Sequence, residues 1–321
     1  MAYIEVNGLT KVFTVRKKRE KGHLMREKQQ ITALDNVSFR VEEGELVGYI
    51  GPNGAGKSTT VKLLSGILTP SAGTACVNGL VPWENRKQHV RDIGVVFGQR
   101  SQLWWDVPIA DSFALLRDIY RIPLSSYTKR LEELTDALQL ESLLRTPLRQ
   151  LSLGQRMRAE LCGSLLHSPK LLFLDEPTIG LDAVSKLALR DFLRHENKEN
   201  GTTVLLTTHD MEDIAALCSR VMVLGHGKKL FDGALNDLLA RYDTSRIVFV
   251  RYDGNVALPS LPEQCTTERD GDGYRIVYEP AQVPTSVLLS ALQAAGPIRE
   301  LTAQAQSIDH LIAKMYREMD L

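Results

Sequence analysis

Cysteine is scarce in the 321-residue sequence, and none of its four cysteines falls in a C-x-x-C pair. This spacing excludes the common zinc motifs and a disulfide framework, and it fits a reducing compartment. Net charge is absent as well, because 39 basic and 39 acidic residues cancel. Without a global positive field, the chain has little attraction for nucleic acid. We therefore expect neither a zinc site nor a nucleic-acid partner.

The sequence also lacks an apolar run that is long and regular enough to cross a membrane. Its longest uncharged stretch, residues 63–83, is interrupted by Gly66, Pro70, Gly73 and Pro82, too many breaks for a membrane helix. The N-terminal seven residues do not show the basic-then-apolar pattern of a secretory signal. Any role at a membrane is therefore expected to depend on a partner.

The most informative stretch is a glycine-rich loop with the pattern G-x-x-x-x-G-K-[ST] of phosphate-binding loops. It consists of Gly51, Pro52, Asn53, Gly54, Ala55, Gly56, Lys57, Ser58 and Thr59. The run at 45–50 predicts a buried strand before the loop, and helical spacing follows it. In such a loop the backbone N–H groups and the helix N-terminus bind phosphate, and Lys57 adds a positive charge. The hydroxyl of Ser58 is placed to ligate Mg²⁺, so the loop predicts nucleotide binding.

Polar residues end three later apolar runs: Gln99, the pair Asp175–Glu176, and His209. Such runs are typical of parallel strands buried on both faces, and ligands bind beyond the carboxyl ends of these strands. Asp175 is placed to hold Mg²⁺, and Glu176 can orient and polarise an attacking water. Taken alone, the carboxylate pair is equally typical of a helix cap. The phosphate-binding loop upstream favours the catalytic interpretation.

A second decisive stretch, Leu151–Gln155, precedes a helical apolar pattern that Ser152 can cap. With Ser152, Gly154 and Gln155 in place, it resembles the signature motif of ABC ATPases, although Leu153 stands where many members have glycine. The other motifs of that family occur in the same order. They are Walker A at 51–59, the Q-loop at Gln99, Walker B at 171–175 followed by Glu176, the D-loop at 180–182 and the switch histidine at His209. Residues 1 to about 233 therefore resemble an ABC transporter ATP-binding subunit.

The resemblance implies a P-loop α/β fold with an ABC ATPase core, an antiparallel β subdomain and a helical subdomain at about 104–169. It also implies a homodimer or heterodimer in which ATP lies between Walker A of one subunit and Ser152, Gly154 and Gln155 of the other. Asp182 would bridge the subunits, and His209 would contact the γ-phosphate. Gln99 would contact Mg²⁺ and water and relay the nucleotide state to a membrane permease on the cytoplasmic face.

The adenine contact implied by the family is less clearly marked. Phe13 occupies the place where members often have an aromatic residue that stacks on adenine. Its segment, residues 3–13, alternates in the manner of an edge strand, so a core role for Phe13 is also open. A basic block at 16–28 follows and makes the spacing unusual; a solvated loop or hairpin tip explains it better than a binding patch.

Residues 97–108, together with 175–182, resemble the ATPases of ABC-2 type exporters. Trp104 and Trp105 lie just past the Q-loop, where the family receives a helix of the permease, and either one could instead belong to the core of the helical subdomain. After residue 233 the pattern changes to a small α+β accessory domain, 234–321, with strands and helices in the order β-β-α-β-α after a linking helix.

Other functions share parts of this pattern. Importer ATPases carry all the same motifs, so only residues 97–108 and the C-terminal domain favour export. Soluble ABC proteins that act on translation have two ATPase domains in one chain, whereas this sequence has a single glycine loop. Chromosome and repair ATPases need a long coiled coil between the Walker motifs, which this sequence does not have.

Overall fold

The computed structural model describes residues 2–17, 27–98, 100–242, 245–254, 256–257, 261–305 and 308–318. Gln99 and residues 18–26 of the basic block lie outside the described residues. The chain divides into two compact units, Met1–Ala234 and Leu235–Leu321. Among the helices described, none combines the length and the apolar character needed to cross a membrane.

The first unit mixes strands and helices along its whole length. Its strands are β1 (Ala2–Lys17), β2 (Glu27–Glu42), β3 (Leu46–Ile50), β4 (Ala72–Val77), β5 (Ile93–Phe97), β6 (Leu171–Asp175), β7 (Thr203–Thr207), β8 (Arg220–Gly225) and β9 (Lys228–Ala234). Its helices are α1 (Lys57–Leu64), α2 (Arg86–His89), α3 (Ile109–Tyr120), α4 (Leu124–Ala137), α5 (Leu153–Leu165), α6 (Ala183–Asn200) and α7 (Met211–Leu217).

A six-stranded sheet in the order β5-β6-β7-β3-β8-β9 positions the functional residues. All neighbouring pairs are parallel except β8 and β9, which form an antiparallel hairpin. Every residue of β3, β6 and β7 is buried, as their uninterrupted apolar runs predict. Because these strands are parallel, their carboxyl ends meet at one edge, where the glycine loop, Asp175 and residues 207–209 follow.

A second sheet is antiparallel and has three strands in the order β2-β1-β4. Its buried side chains belong to one apolar cluster with side chains of the six-stranded sheet. The interpretation of residues 3–13 as an edge strand is wrong, because β1 pairs with β2 on one side and β4 on the other. The alternation of β1 arises because Ile4 and Val6 point into the core while Glu5 and Asn7 do not. The sequence does not predict β4, since its first three residues are exposed.

The region 104–169 is helical, as expected, and contains α3, α4 and α5. Before β5 lies a single short helix turn, α2, limited to Arg86–His89. The sequence analysis misses α6 and α7. Charged residues dominate α6, so its buried stripe at Leu189, Phe192 and Leu193 is not obvious in the sequence. With seven residues, α7 is too short for a clear helical period.

The second unit is a small α+β fold. It contains α8 (Leu235–Tyr242), β10 (Arg246–Tyr252), β11 (Thr266–Asp270), β12 (Gly273–Tyr278), α9 (Thr285–Ala295), β13 (Ile298–Ala305) and α10 (Ile308–Glu318). The strands form an antiparallel sheet in the order β11-β12-β10-β13. Leu288 and Leu292 of α9 pack on one face of this sheet. The sequence misses β11, which is almost entirely exposed and carries no apolar alternation.

The predicted fold class is confirmed. The chain has the parallel sheet, the antiparallel sheet, the helical region and the separate α+β unit that this class requires. The core of the first unit joins both of its sheets in one cluster, whose members run from Tyr3 to Leu224. The cluster contains no residue of the second unit, although each unit has its own buried apolar side chains.

We predict that a chain ending at Ala234 still folds, because it forms a compact unit and the apolar cluster shared by its two sheets is built from described residues up to Leu224. All three tryptophans, Trp83, Trp104 and Trp105, lie in the first unit, so their emission reports that unit alone. A urea titration is expected to show a cooperative tryptophan transition in the truncated chain, as in the full chain. A soluble truncated chain without a cooperative transition would contradict the independence of the first unit.

Candidate functional site

The glycine loop connects β3 to α1 and is tightly enclosed by backbone. A Cβ atom on Gly51 would lie 2.2 Å from the carbonyl oxygen of Leu224, and one on Gly56 would lie 2.5 Å from that of Ala33. Gly56 also adopts a φ of 110°, which side chains rarely adopt. No side chain caps α1. The free N–H groups of its first turn therefore form an anion-binding helix end.

The side chain of Lys57 is folded back over this loop. It is 5% exposed, and its Nζ donates to the carbonyl oxygens of Gly51 and Pro52 at 2.7 and 3.2 Å. Burial lowers the pKa of Lys57, while the carboxylates of Glu176 and Asp175 oppose that shift. The nearer carboxylate oxygen, Glu176 Oε1, lies 3.9 Å from Nζ. The ammonium group is thus held mainly by neutral carbonyl groups. A bound anion would interact with it more strongly than these groups do.

Asp175 ends β6 at the same edge of the sheet and is only 9% exposed. Its Oδ1 accepts hydrogen bonds from Ser58 Oγ at 3.0 Å and from Thr207 Oγ1 at 2.6 Å. Sequence reasoning did not identify Thr207, whose only signal is that it ends the buried run of β7. The hydroxyl groups of one serine and one threonine therefore fix the carboxylate beside the start of α1.

Glu176 and His209 form a direct pair, with 3.0 Å between Glu176 Oε2 and His209 Nδ1. The backbone of Glu176 has a φ of 56°, a left-handed conformation that is uncommon for a residue other than glycine and is often found at functional sites. Gly98, the residue before Gln99 of the Q-loop, lies close to this turn. A Cβ on Gly98 would lie 2.3 Å from the carbonyl oxygen of Glu176. The segment leading into Gln99 is therefore packed directly on the turn.

A cavity of about 550 Å³ lies over these groups. Its lining consists of Asn53, Ser58, Lys62, Phe97, Gly98, Arg100, Asp175, Glu176, Ile179 and His209. The structure thus brings together the predicted residues of the glycine loop, Walker B and the switch histidine. Lys62 and Arg100 were missed by the sequence analysis, which considered only the motif positions, and they add positive charge to the cavity.

The signature residues lie elsewhere. Ser152 begins α5, and its Oγ accepts from the backbone N–H of Gln155 at 3.2 Å, while Gln155 Oε1 accepts from the N–H of Ser152 at 2.9 Å. This reciprocal pair is a capping box. Gly154 lies against α6, because a Cβ there would be 2.4 Å from Ser185 Oγ. Within the described part of the chain, none of these three residues lines the cavity.

Asp182 likewise lies outside the cavity lining. It caps α6 by accepting from the N–H and the hydroxyl of Ser185 at 2.8 and 2.9 Å, and these hydrogen bonds lower its pKa. Exposed apolar side chains surround the two caps: Leu153 on α5, and Val184 and Leu187 on α6. The signature and the D-loop thus form one exposed surface, with apolar residues beside two helix N-termini.

The remaining aromatic candidates are not brought to the cavity. Phe13 is half-buried, and the ammonium group of Lys11 lies 5.3 Å from the centre of its ring. Trp104 and Trp105 are 41% and 49% exposed, so the interpretation of either as a core residue is wrong. The buried residue of that segment is Leu103, which packs closely on Gly163 of α5. The guanidinium group of Arg156 covers the ring of Trp105 at 5.1 Å.

Comparison with known proteins places this geometry in a family. The family model described as ABC transporter matches residues 34–179. Nod factor export ATP-binding protein I of Cupriavidus metallidurans is 32% identical over 291 residues, which cover 89% of this chain and 93% of that protein. A methionine import ATP-binding protein of Geobacillus kaustophilus is 35% identical over 207 residues, which cover 63% of this chain and 60% of that protein.

A probable multidrug ABC transporter ATP-binding protein of Escherichia coli is also 35% identical over 211 residues, but the match covers only 36% of its length and 65% of this chain. Among solved structures, a dimeric post-hydrolysis state of an ATP-binding cassette, bound to ADP and Pi, is similar with a TM-score of 0.61 and 27% identity. That match covers 72% of this chain and 98% of the other. The chain belongs to the ABC transporter ATP-binding proteins, a family of ATPases.

Proposed function

We propose that the chain hydrolyses ATP as one of two cassettes that drive export through a separate membrane permease. The observation that carries this proposal is that Ser58, Asp175, Glu176 and His209 line one cavity, while the ammonium group of Lys57 lies 3.9 Å from Glu176 Oε1. These groups arise from distant parts of the sequence, and the parallel sheet brings them to one edge. Each has a chemistry that phosphoanhydride hydrolysis uses.

The triphosphate of ATP is the anion that suits the glycine loop. Uncapped N–H groups at the start of α1 face the phosphates, and Lys57 replaces its contacts with the carbonyl oxygens of Gly51 and Pro52 by a charge-assisted bond to phosphate. The exchange favours binding, because the buried ammonium gains an anionic partner. Arg100 and Lys62 supply further positive charge at the cavity wall.

Ser58 and Asp175 fit an Mg²⁺ ion, since a hydroxyl and a carboxylate are hard oxygen donors and their oxygens already lie 3.0 Å apart. In the described parts of the chain no group of three or more His, Cys, Asp or Glu could hold a metal ion. That finding agrees with Mg²⁺ sites that take their other ligands from phosphate and water. The ion would supply positive charge to the phosphate oxygens. Gln99, the remaining candidate ligand, lies outside the described residues.

Glu176 is the group that orients the attacking water. Its Oε2 is held by His209 at 3.0 Å, and its Oε1 faces Lys57 at 3.9 Å. The carboxylate is therefore fixed between the phosphate-binding charge and the switch histidine. A carboxylate in this position polarises water towards the γ-phosphate, and His209 contacts the phosphate and keeps Glu176 in place.

The second half of each ATP site comes from another chain. Ser152, Gly154, Gln155 and Asp182 lie outside the cavity of their own chain. Ser152 and Asp182 are exposed, as are Leu153 and Val184, whereas Gly154 is buried. Ser152 Oγ accepts the N–H of Gln155 and so retains its own hydrogen to donate. The N-terminus of α5 can thus stabilise the γ-phosphate held by the partner's glycine loop. The dimeric cassette structure with ADP and Pi supports this arrangement.

The proposed direction of transport rests on the stretch 97–108 and on relatives described as Nod factor export ATP-binding proteins. The Geobacillus kaustophilus relative described as a methionine importer represents the alternative. The exposed rings of Trp104 and Trp105 are suited to contact with a permease at the cytoplasmic face of the membrane. Among the described residues, those that line the cavity all belong to the first unit, and the unit after Ala234 is proposed to be an accessory domain.

We predict that Glu176→Gln retains ATP binding but lowers kcat by about 100-fold or more, because the water loses its orienting carboxylate. The uncharged, isosteric side chain leaves the phosphate loop intact, so ATP is expected to hold two chains together. Steady-state ATPase assays measure turnover, and size exclusion with Mg²⁺ and ATP detects the trapped dimer. A variant that hydrolyses ATP at the wild-type rate would contradict the role of Glu176.

Two control variants separate binding from chemistry. Lys57→Ala is expected to lose about 10- to 100-fold in ATP affinity, because a charge-assisted hydrogen bond to phosphate is lost. Glu132→Gln removes an exposed carboxylate of α4 and is expected to change neither affinity nor turnover. Unchanged ATP affinity in Lys57→Ala would contradict the assignment of the glycine loop.

We predict that the tagged chain co-purifies from detergent-solubilised membranes with a polytopic permease. Replacing both exposed tryptophans, as Trp104→Ala with Trp105→Ala, is expected to reduce that recovery while leaving basal ATPase activity unchanged. Inverted membrane vesicles containing the complex are expected to accumulate substrate, because export from the cytoplasm becomes uptake in that orientation. Recovery of ribosomal proteins instead, or uptake only in right-side-out vesicles, would overturn the export proposal.

A further inference from the structure

A buried polar network joins the turn after Glu176 to the helix after His209, and its members Arg190 and Asp213 lie outside the family motifs. Thr178 occupies the turn after β6, two residues beyond Glu176, and its hydroxyl donates to Asp213 Oδ2. Thr178 is 4% exposed and Asp213 is fully buried. Asp213 lies in the first turn of α7, which follows His209 immediately. One hydrogen bond therefore joins the Walker B turn to the switch segment.

The other carboxylate oxygen of Asp213 extends the network to α6. Asp213 Oδ1 accepts from Arg190 Nε at 2.6 Å, and Arg190 is itself 8% exposed. Asp210 caps α7 by accepting from the backbone N–H of Glu212 at 3.0 Å and of Asp213 at 3.3 Å. Lys186 of α6 pairs with the same Asp210. Through Arg190 and Lys186, α6 is therefore joined to the Walker B turn and the switch segment, and α6 starts directly after Asp182 of the D-loop.

Such a network is poorly explained as a device for stability. Burying a charged pair costs desolvation energy that its mutual attraction offsets only with good geometry, and apolar residues of similar size often stabilise a fold at least as well. A satisfied buried network does, however, fix the relative positions of its members. Here the members lie on the three segments that must be in register for hydrolysis.

The conformation of Glu176 shows what needs to be fixed. Its φ of 56° is costly for a residue with a side chain, so the surrounding structure must impose it. Before the turn, the N–H of Glu176 donates to the carbonyl oxygen of Thr207 at 2.9 Å. After the turn, the hydroxyl of Thr178 is anchored on Asp213. Loss of the second anchor would allow the turn to relax and Glu176 to leave His209.

We infer that Thr178 and Asp213 are positioning residues that hold Glu176 and His209 in the geometry for hydrolysis and connect that geometry through Arg190 to α6, the helix that follows the D-loop. The inference rests on the proposed ATPase function and deepens it. Neither residue lines the cavity, so they act through Glu176 and His209 and not by touching ATP.

Two substitutions of Thr178 separate hydrogen bonding from packing. Thr178→Val keeps the shape of the side chain and removes the hydroxyl, whereas Thr178→Ser keeps the hydroxyl and removes the methyl group. We expect Thr178→Val to lower kcat by about 10- to 100-fold, because small displacements of catalytic groups have effects of that size. Thr178→Ser is expected to keep kcat within about threefold of the wild type, since the bond to Asp213 is retained. The KM for ATP and the affinity for ADP are expected to change less than about twofold in both, since neither substitution reaches the glycine loop.

A role in packing alone predicts the reverse order, with Thr178→Ser more damaged than Thr178→Val. That order, or wild-type kcat in Thr178→Val, would overturn the inference. Asp213→Asn provides a second test that changes the other partner: it is expected to lower kcat while ADP affinity, measured by equilibrium dialysis, is unchanged. Equal losses of kcat and of ADP affinity in Asp213→Asn would show a general structural defect and would also overturn it.

The wild type and Glu176→Gln are assayed alongside, which keeps the two proposals distinguishable. If the wild type hydrolyses ATP and Glu176→Gln does not, the proposed function stands and the Thr178 pair tests the inference alone. If the wild type binds ATP but shows no Mg²⁺-dependent turnover that depends on Glu176, the proposed function fails and the inference fails with it.

Discussion

Burial of the Lys57 ammonium group against backbone carbonyl groups is the interaction on which the site depends. The group is 5% exposed and lies closer to the carbonyl oxygens of Gly51 and Pro52 than to any carboxylate. The loop can enclose it because Gly51 and Gly56 lie where a Cβ would meet backbone oxygens of Leu224 and Ala33. An ammonium held in this way favours an anion, and the parallel sheet supplies the reactive groups beside it.

The proposed two-chain site accounts for the separation of two groups of residues. Asp175 and Glu176 line the cavity, with Lys57 beside Glu176, whereas Ser152 and Asp182 cap two helices on a different, exposed surface. Both caps are complete within the chain, so this surface is preformed and needs no rearrangement to present helix N-termini. Pairing two chains head to tail would place each cap opposite the partner's cavity, which makes ATP part of the interface and links its hydrolysis to opening of the dimer.

The sequence predicts most of the site because its motifs are local. A loop such as 51–59 and a buried strand ending in Asp175 have distinct patterns, and parallel strands bring their carboxyl ends together. The contacts that fix Asp175 and Glu176 are different, since Thr207 and Asp213 are distant in sequence and have no pattern of their own. The edge position of β1 was wrong for the same reason, since its second neighbour β4 has few apolar residues. Long-range pairing is thus what the sequence leaves open.

The most direct test of the two-chain site uses mixed dimers of complementary variants. Lys57→Ala damages the glycine loop, and Ser152→Arg damages the signature; each homodimer therefore has two damaged sites. In the mixed dimer one site receives both lesions, and the other combines an intact loop with an intact signature. With differently tagged chains purified as a mixed dimer, we predict occlusion of about one ATP per dimer, as expected when two helix N-termini meet one triphosphate. Occlusion no greater than in either homodimer, with the mixed dimer shown to form, would contradict the account.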